Sequence, residues 1–279
     1  MTKLRLASAD SHFVEPADLW TRRMDRKFAD TAPRVVKSED GPGYFLVAPS
    51  VRFGLGFASG VNKTGKELRE HQTKGYEAAR PGGWDPAERL KDQDADGVEA
   101  EVIYSSLGLP LFALDDAELQ MACFKAYNDW IAEFASHDRK RLYPVPLISL
   151  EDISQGVKEL ERCAKLGLRG AMIWLSPPAD KPYDNPVYGP FWEAAQELDM
   201  PLTLHIIAER KRGPTQAQTT GFASVLKSNM GGIQDVQRAL STMIVGHVFD
   251  RFSRLKIVSA EKRLWLGSAF HVSSRPFLP

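Results

Sequence analysis

Three residues of this chain carry side chains that a first-row metal ion takes as ligands. Asp10 and His12 stand two apart in the opening stretch Leu4-Arg-Leu-Ala-Ser-Ala-Asp-Ser-His12. The alternation of Leu4, Leu6 and Ser8 predicts a short strand over 4–10 that ends on the Asp-x-His pair. A strand period of two then sends carboxylate and imidazole to the same side. One carboxylate oxygen and one neutral imidazole nitrogen can form half of a metal site. The same spacing is also met in plain turns, because Asp and Ser bond their own backbone at strand ends. His205 lies inside Leu202-Thr-Leu-His-Ile-Ile207, a stretch otherwise built for burial. A lone histidine there is more often a hydrogen-bonded core residue. One carboxylate and two imidazoles on a shared ion would leave a position for water or substrate. The residues alone leave both readings open.

Such groups need a scaffold to bring them to one place. Apolar runs predict strands near 4–10, 100–106, 142–148, 170–176, 201–207 and 255–261. Between them, helical periodicity covers 87–96, 115–136, 150–166, 190–198 and about 220–252, the last broken at Gly231-Gly232. Strands alternating with amphipathic helices imply a parallel α/β architecture with right-handed crossovers. A barrel and a doubly wound sheet both fit. A barrel does its chemistry at the carboxyl ends of its strands, and there this chain places Asp10-x-His12, Ser105-Ser106, Ser176, His205 and Glu261. The barrel is therefore the favoured reading.

Residues 17–90 interrupt this order with many prolines and glycines. They are too long for a structureless loop, so they read as an insertion after strand 1 and as a lid over a site. Within it, Gly54-Leu-Gly56-Phe-Ala-Ser-Gly60 has the wrong spacing for a dinucleotide fingerprint. His71, in a polar run of the same insertion, is a candidate substrate contact.

The 279 residues are 43% apolar and 26% charged, with a formal net charge of zero. That suits one large soluble domain and supplies no field for nucleic acid or an anionic membrane. Cys123 and Cys163 fall inside helical patterns and outside any C-x-x-C, so both read as buried reduced thiols. No run approaches the ~18 apolar residues of a membrane span. The start lacks a basic-then-apolar leader pattern, so a cytoplasmic location is expected. No Gly-x-Ser-x-Gly elbow points to a serine hydrolase.

Several longer motifs carry a resemblance. They are Asp10-Ser-His12-x-x-Glu15-Pro, Gly83-Trp-Asp-Pro-x-x-Arg89-Leu, Asp96-Gly-Val, Glu159-Leu-Glu-Arg-x-x-x-Leu-Gly-Leu-Arg-Gly170, Pro201-Leu-x-Leu-His205 and Val248-Phe-Asp-Arg-Phe-x-x-Leu-Lys-Ile-Val258. In this order they resemble the amidohydrolase-related family over residues 4 to 261. The likeness is to the branch with aminocarboxymuconate semialdehyde decarboxylase and the aromatic-acid decarboxylases. It implies a distorted TIM-type (β/α)8 barrel of the metal-dependent hydrolase superfamily, one domain over 1–261. It also implies one divalent cation, Zn expected and Mn the alternative, with Asp10, His12 and His205 in three ligand places. The two-metal relatives use a strand-4 lysine; residues 170–176 hold none, which favours a single ion. Glu261 takes the place where many relatives have a histidine just outside the metal's ligands. Glu261 or Glu15 would then relay protons, although a cap or salt bridge serves Glu15 equally well. Arg89 would clamp a substrate carboxylate or make a lid salt bridge. The implied partner is a small-molecule carboxylic acid, aromatic or aromatic-derived, in a hydrolase or non-oxidative decarboxylase reaction.

The chain departs from this pattern at its end. Six strands are visible where a full barrel has eight, and the strand-8 Asp of the family has no match. Residues 262–279 match nothing. With codons AAA-CGG-CTT-TGG-CTG-GG for Lys-Arg-Leu-Trp-Leu-Gly, removal of one A gives Asn-Gly-Phe-Gly-Trp, as relatives would read. The expectation is an incomplete barrel with a frameshifted tail, which the coding DNA would decide. An open sheet edge invites association, so a homodimer is one expected way to cover it. The rival expectation is a catalytically inactive remnant that binds a ligand or partner through the same face.

Overall fold

A computed structural model describes residues 6–39, 43–55, 63–210 and 222–260, with the backbone alone over 222–230. The chain divides into two compact units, Met1–Leu147 and Ile148–Pro279.

The first unit opens with strand β1 (Leu6–His12), followed by the short helix α1 (Leu19–Arg23). Next come strands β2 (Arg34–Lys37), β3 (Tyr44–Ala48) and β4 (Val51–Gly54), then helices α2 (Gly65–Lys74) and α3 (Pro86–Asp96). Strand β5 (Val98–Tyr104), helix α4 (Ala117–Ala135) and strand β6 (Leu142–Pro144) complete it. Strands β1, β5 and β6 form a parallel sheet in that order.

The helix starts follow from short polar side chains. Asp85 caps α3 by accepting from the N–H groups of Ala87 (2.8 Å) and Glu88 (3.1 Å), with Pro86 at its first position. Asp116 does the same for α4 through Glu118 and Leu119. Each cap satisfies donors that the first turn leaves without an intrahelical acceptor, worth about 1 kcal/mol. Gly97 ends α3 at φ +70°, a conformation that only glycine adopts cheaply. The buried face of α4 includes Trp130 and Phe134, whose rings lie 4.9 Å from that of Phe13, at edge-on angles. Phe13 is fully buried, and a phenyl ring so placed contributes about 1.5–3 kcal/mol. It anchors the chain one residue past His12.

The insertion holds more structure than its punctuation predicts. β2, β3 and β4 form an antiparallel sheet. Pro49 and Ser50 make the two-residue turn of its second hairpin, with Ser50 at φ +57°. The Arg52 guanidinium lies 4.0 Å from the ring centre of Phe45 across the pair. The fingerprint-like glycines begin at the end of β4, and 56–60 lie outside the described residues.

The second unit contains helix α5 (Ile153–Lys165), strand β7 (Ala171–Ile173), helix α6 (Gly189–Glu197) and strand β8 (Leu202–Leu204). Helices α7 (Phe222–Val245) and α8 (Val248–Arg251) and strand β9 (Ile257–Ser259) follow. Its sheet is parallel, in the order β7-β8-β9. β7 and β8 are buried along their whole length. Asp152 caps α5 by accepting from Gln155 N–H, so the helix starts at 153 and not at 150.

Two expectations need correction. The expected break at Gly231-Gly232 is absent: α7 runs through both. Gly232 is there for close approach, since a Cβ on it would lie 2.8 Å from Ile206 Cγ2. The strand expected over 142–148 is regular only over 142–144; Val145 N–H still donates to the Ile103 carbonyl at 3.0 Å, but Pro144 and Pro146 have no N–H to give the ladder. The tail 262–279 and Glu261 lie outside the described residues. Among the described residues, no helix is long and apolar enough to cross a membrane.

Candidate metal centre

Strand β1 does not stop at residue 10. It pairs with β5 up to His12, and the pairing slips between Ser8 and Ser11. Ser8 faces Glu101 and Ser11 faces Ile103, so β1 carries one residue more than its partner across this step. Such a bulge re-aims the side chains at it. Here it falls on Ala9 and Asp10.

Asp10 Oδ1 and His12 Nε2 lie 3.6 Å apart, with 34% and 29% of their side chains exposed. Two ligands about 2.1 Å from one ion, at a tetrahedral angle, stand roughly 3.4 Å apart. The observed spacing fits a divalent ion between them. The other ring nitrogen of His12, Nδ1, faces the Ser105 carbonyl at 3.2 Å and Ser106 Oγ at 3.4 Å. A side chain from the end of β1 is thus steered by the loop that follows β5.

Glu15 lies below this loop and is fully buried. Its carboxylate accepts from Ser105 Oγ and from the N–H groups of Ser106 (2.9 Å) and Leu107 (3.0 Å). Its carbonyl accepts from the Tyr76 hydroxyl at 2.8 Å. Burial raises its carboxyl pKa above the usual range, and the bonds from Ser105, Leu107 and Ser106 oppose that shift.

Arg89, expected as a clamp on substrate, is engaged with the protein. Its Nε donates to Glu101 Oε2 at 2.6 Å, and its Nη1 to the carbonyls of His12 (3.1 Å) and Gly82 (3.3 Å). Of its two expected roles, the contacts favour the salt bridge. Ser11 Oγ donates to the other carboxylate oxygen of Glu101 at 3.3 Å. His71 is carried by α2, and its Nε2 is buried without a hydrogen-bond partner among the described residues. Glu101 was missed in the sequence, although a charged residue inside Ala100-Glu-Val-Ile-Tyr104 was the signal for it.

In the second unit His205 follows directly on β8 and is fully buried. Its Nδ1 faces the Ile206 carbonyl at 2.7 Å. An acceptor there leaves the lone pair on Nε2, the form that binds metals. Ile207 then takes φ +73°, which a β-branched residue rarely adopts. The bond from Leu175 N–H to the Ala208 carbonyl, 2.7 Å, holds the turn against the end of β7. A cavity of about 310 Å³ in this unit is lined by Glu151, Trp174, Tyr188 and Arg210, among others. Arg210 pairs with Glu151 at 2.7 Å, so its charge is already balanced there. Cys123 and Cys163 are buried and not joined in a disulfide, as expected.

The family model for amidohydrolases matches residues 10–261, and the chain belongs to that family. It is 30% identical over 179 residues to a gamma-resorcylate decarboxylase of Polaromonas sp. (strain JS666 / ATCC BAA-500), covering 61% of this chain and 53% of that protein. The chain spans about half the length of the curated relatives it matches. Among solved structures, it is similar to an amidohydrolase from Mycobacterium avium subsp. paratuberculosis K-10, at TM-score 0.66 and 20% identity. That likeness covers 93% of this chain and 73% of the other. A dihydroxybenzoic acid decarboxylase from Polaromonas sp. JS666, solved with bound manganese and the inhibitor 2-nitroresorcinol, gives TM-score 0.57 at 20% identity. It is covered to 65%, with 92% of this chain. The fold class is therefore the parallel α/β architecture of the amidohydrolase barrels, as expected.

Proposed function

We propose that this chain is, or is part of, a metal-dependent, non-oxidative decarboxylase of small hydroxylated aromatic acids. The observation that carries the reading is the Asp10–His12 pair, spaced for an ion at the carboxyl end of β1, in a chain whose curated relatives are named gamma-resorcylate decarboxylases. The donor set proposed, on the strength of the family pattern, is Asp10, His12 and His205, one carboxylate and two imidazoles. It suits Zn²⁺ or Mn²⁺ alike, and manganese is the ion in the Polaromonas structure.

The reaction exchanges a carboxylate for a proton. The bond from ring carbon to carboxylate breaks, CO₂ leaves, and the electron pair stays on the ring carbon until a proton arrives. The bound ion would supply Lewis-acid polarisation of the substrate's oxygens. Asp10, His12 and His205 would hold it. Glu261 is the group proposed to move the ring proton, on the strength of its position in the family pattern. His71, with its buried Nε2, is proposed as the contact to the substrate. Arg89 supports the site from below and is not assigned to the substrate. The location proposed is the cytoplasm.

The test is incubation with Mn²⁺ or Zn²⁺ and 2,6-dihydroxybenzoate, read by release of CO₂ and resorcinol. Stoichiometric release of both supports the reading. Metal-loaded protein that releases neither, from this or other hydroxybenzoates, overturns it.

A further inference from the structure

His12 offers two ring nitrogens, and only one can carry the lone pair of the neutral ring. Both groups facing Nδ1 are set up as acceptors. The Ser105 carbonyl can only accept, at 3.2 Å. Ser106 Oγ spends its own proton on the Phe13 carbonyl at 2.6 Å, which leaves its lone pairs towards the ring at 3.4 Å. Both lie within hydrogen-bond reach of Nδ1, whereas the Asp10 carboxylate stands beyond that reach from Nε2 at 3.6 Å, so the contacts favour the proton on Nδ1. The lone pair is then on Nε2, the nitrogen 3.6 Å from Asp10 Oδ1.

These acceptors sit on a loop, and loops do not hold an angle by themselves. One buried group bonds to all three of residues 105–107. Glu15 gathers Ser105 Oγ, Ser106 N–H and Leu107 N–H on one carboxylate. Ser105 Oγ in turn accepts from Gly108 N–H at 2.8 Å, so the next residue is tied in as well. A carboxyl group is suited to this, because it has acceptor capacity on both oxygens.

We propose that Glu15 is a positioning residue that acts through the 105–107 loop to fix His12 as its Nδ1–H tautomer, with Nε2 presented to a metal ion. The inference rests on the reading of His12 as a ligand, but the tautomer itself is a property of the metal-free protein. Glu15 touches neither ion nor substrate in this role. The expectation that it relays protons is set aside, because its carboxylate is enclosed and turned to the loop.

The experiment is ¹⁵N–¹H long-range correlation NMR of the metal-free protein at a pH where the ring is neutral, with His12→Asn identifying the signal. Wild type is expected to show Nδ1 protonated and Nε2 bare. In Glu15→Gln the amide presents N–H groups to backbone N–H groups, the loop loses its hold, and the His12 signals move to a mixture of tautomers. Mn²⁺ affinity, measured by titration calorimetry, then falls about tenfold, the usual scale for a group supporting a ligand. The His205 signals stay unchanged. Where E15Q does not fold, Ser105→Ala carries the same test, since it removes one donor to Glu15 and leaves the carboxylate in place. A folded variant with the wild-type His12 pattern overturns the proposal, as does a wild-type ring protonated on Nε2. Wild-type protein that binds no metal but shows the expected tautomer, shifted in E15Q, sinks the functional reading and leaves this one standing.

Discussion

The Arg89 guanidinium and the Glu101 carboxylate form an ion pair at 2.6 Å with only 12% and 11% of their side chains exposed. Desolvating two charges is costly, and the pair is sustained by further bonds: Arg89 to the His12 and Gly82 carbonyls, Ser11 to Glu101. Two of those bonds, to His12 and from Ser11, lie on β1 directly after the bulge. The pair therefore braces the backbone that aims Asp10 and His12.

Removing one partner leaves the other charge buried alone. Arg89→Ala is expected to lower stability by about 3 kcal/mol in urea unfolding, where an exposed pair would lose less than about 1 kcal/mol. Arg89→Lys is expected to fall between, because an ammonium cannot serve Glu101 and two carbonyls in one plane. A loss under about 1 kcal/mol for the alanine variant would place this pair with ordinary surface contacts.

Much of this frame is legible in the sequence, and the reasons for the rest are physical. Asp85 announces its helix because capping is a local interaction, whereas the expected starts at 115 and 150 precede the capping residues Asp116 and Asp152. Asp10, His12 and His205 stand out because polar groups in apolar strands are rare. The β2–β3–β4 sheet is not legible: its strands are short, and glycine and proline at its turns mask their alternation. The bulge in β1 exists only in relation to β5. The Arg89–Glu101 pair spans 12 residues and two elements, and no local pattern records it.

Metal content should follow the donor set. Asp10→Asn, His12→Ala and His205→Ala are each expected to weaken Mn²⁺ or Zn²⁺ binding by more than about tenfold, because a direct ligand costs at least as much as a supporting group. Elemental analysis after gel filtration measures it. Retention of full metal by the His205 variant would remove that residue from the set.

Glu15 also predicts a pH dependence. Burial raises its folded pKa above the reference value of 4.5. Folding thus favours the protonated form, and the group's contribution is complete below that value. It is lost as pH rises through the folded pKa. The stability of wild type relative to Glu15→Gln should decline as pH rises above the reference value of 4.5 and through the raised folded pKa, since the amide does not titrate. Urea unfolding of both proteins across this range gives the difference. A difference independent of pH would mean that the three donors fully offset burial.

The glycine pair of α7 offers a contrast in which neighbouring substitutions have opposite signs. Among the described residues, a Cβ on Gly231 meets nothing within 4 Å, while one on Gly232 lies 2.8 Å from Ile206 Cγ2 and 3.2 Å from its Cβ. In a helix interior alanine gains roughly 0.5–1 kcal/mol over glycine. Gly231→Ala should therefore raise the unfolding midpoint. At Gly232 the same gain meets overpacking of about 1–3 kcal/mol against a branched carbon that cannot rotate away. Gly232→Ala should lower the midpoint, and it should also disturb Ile206, whose carbonyl faces His205 Nδ1 at 2.7 Å. A second consequence follows: weaker metal binding in the Gly232 variant, with none in the Gly231 variant. If both variants are stabilised equally, the helix does not rest on Ile206 as closely as these distances require.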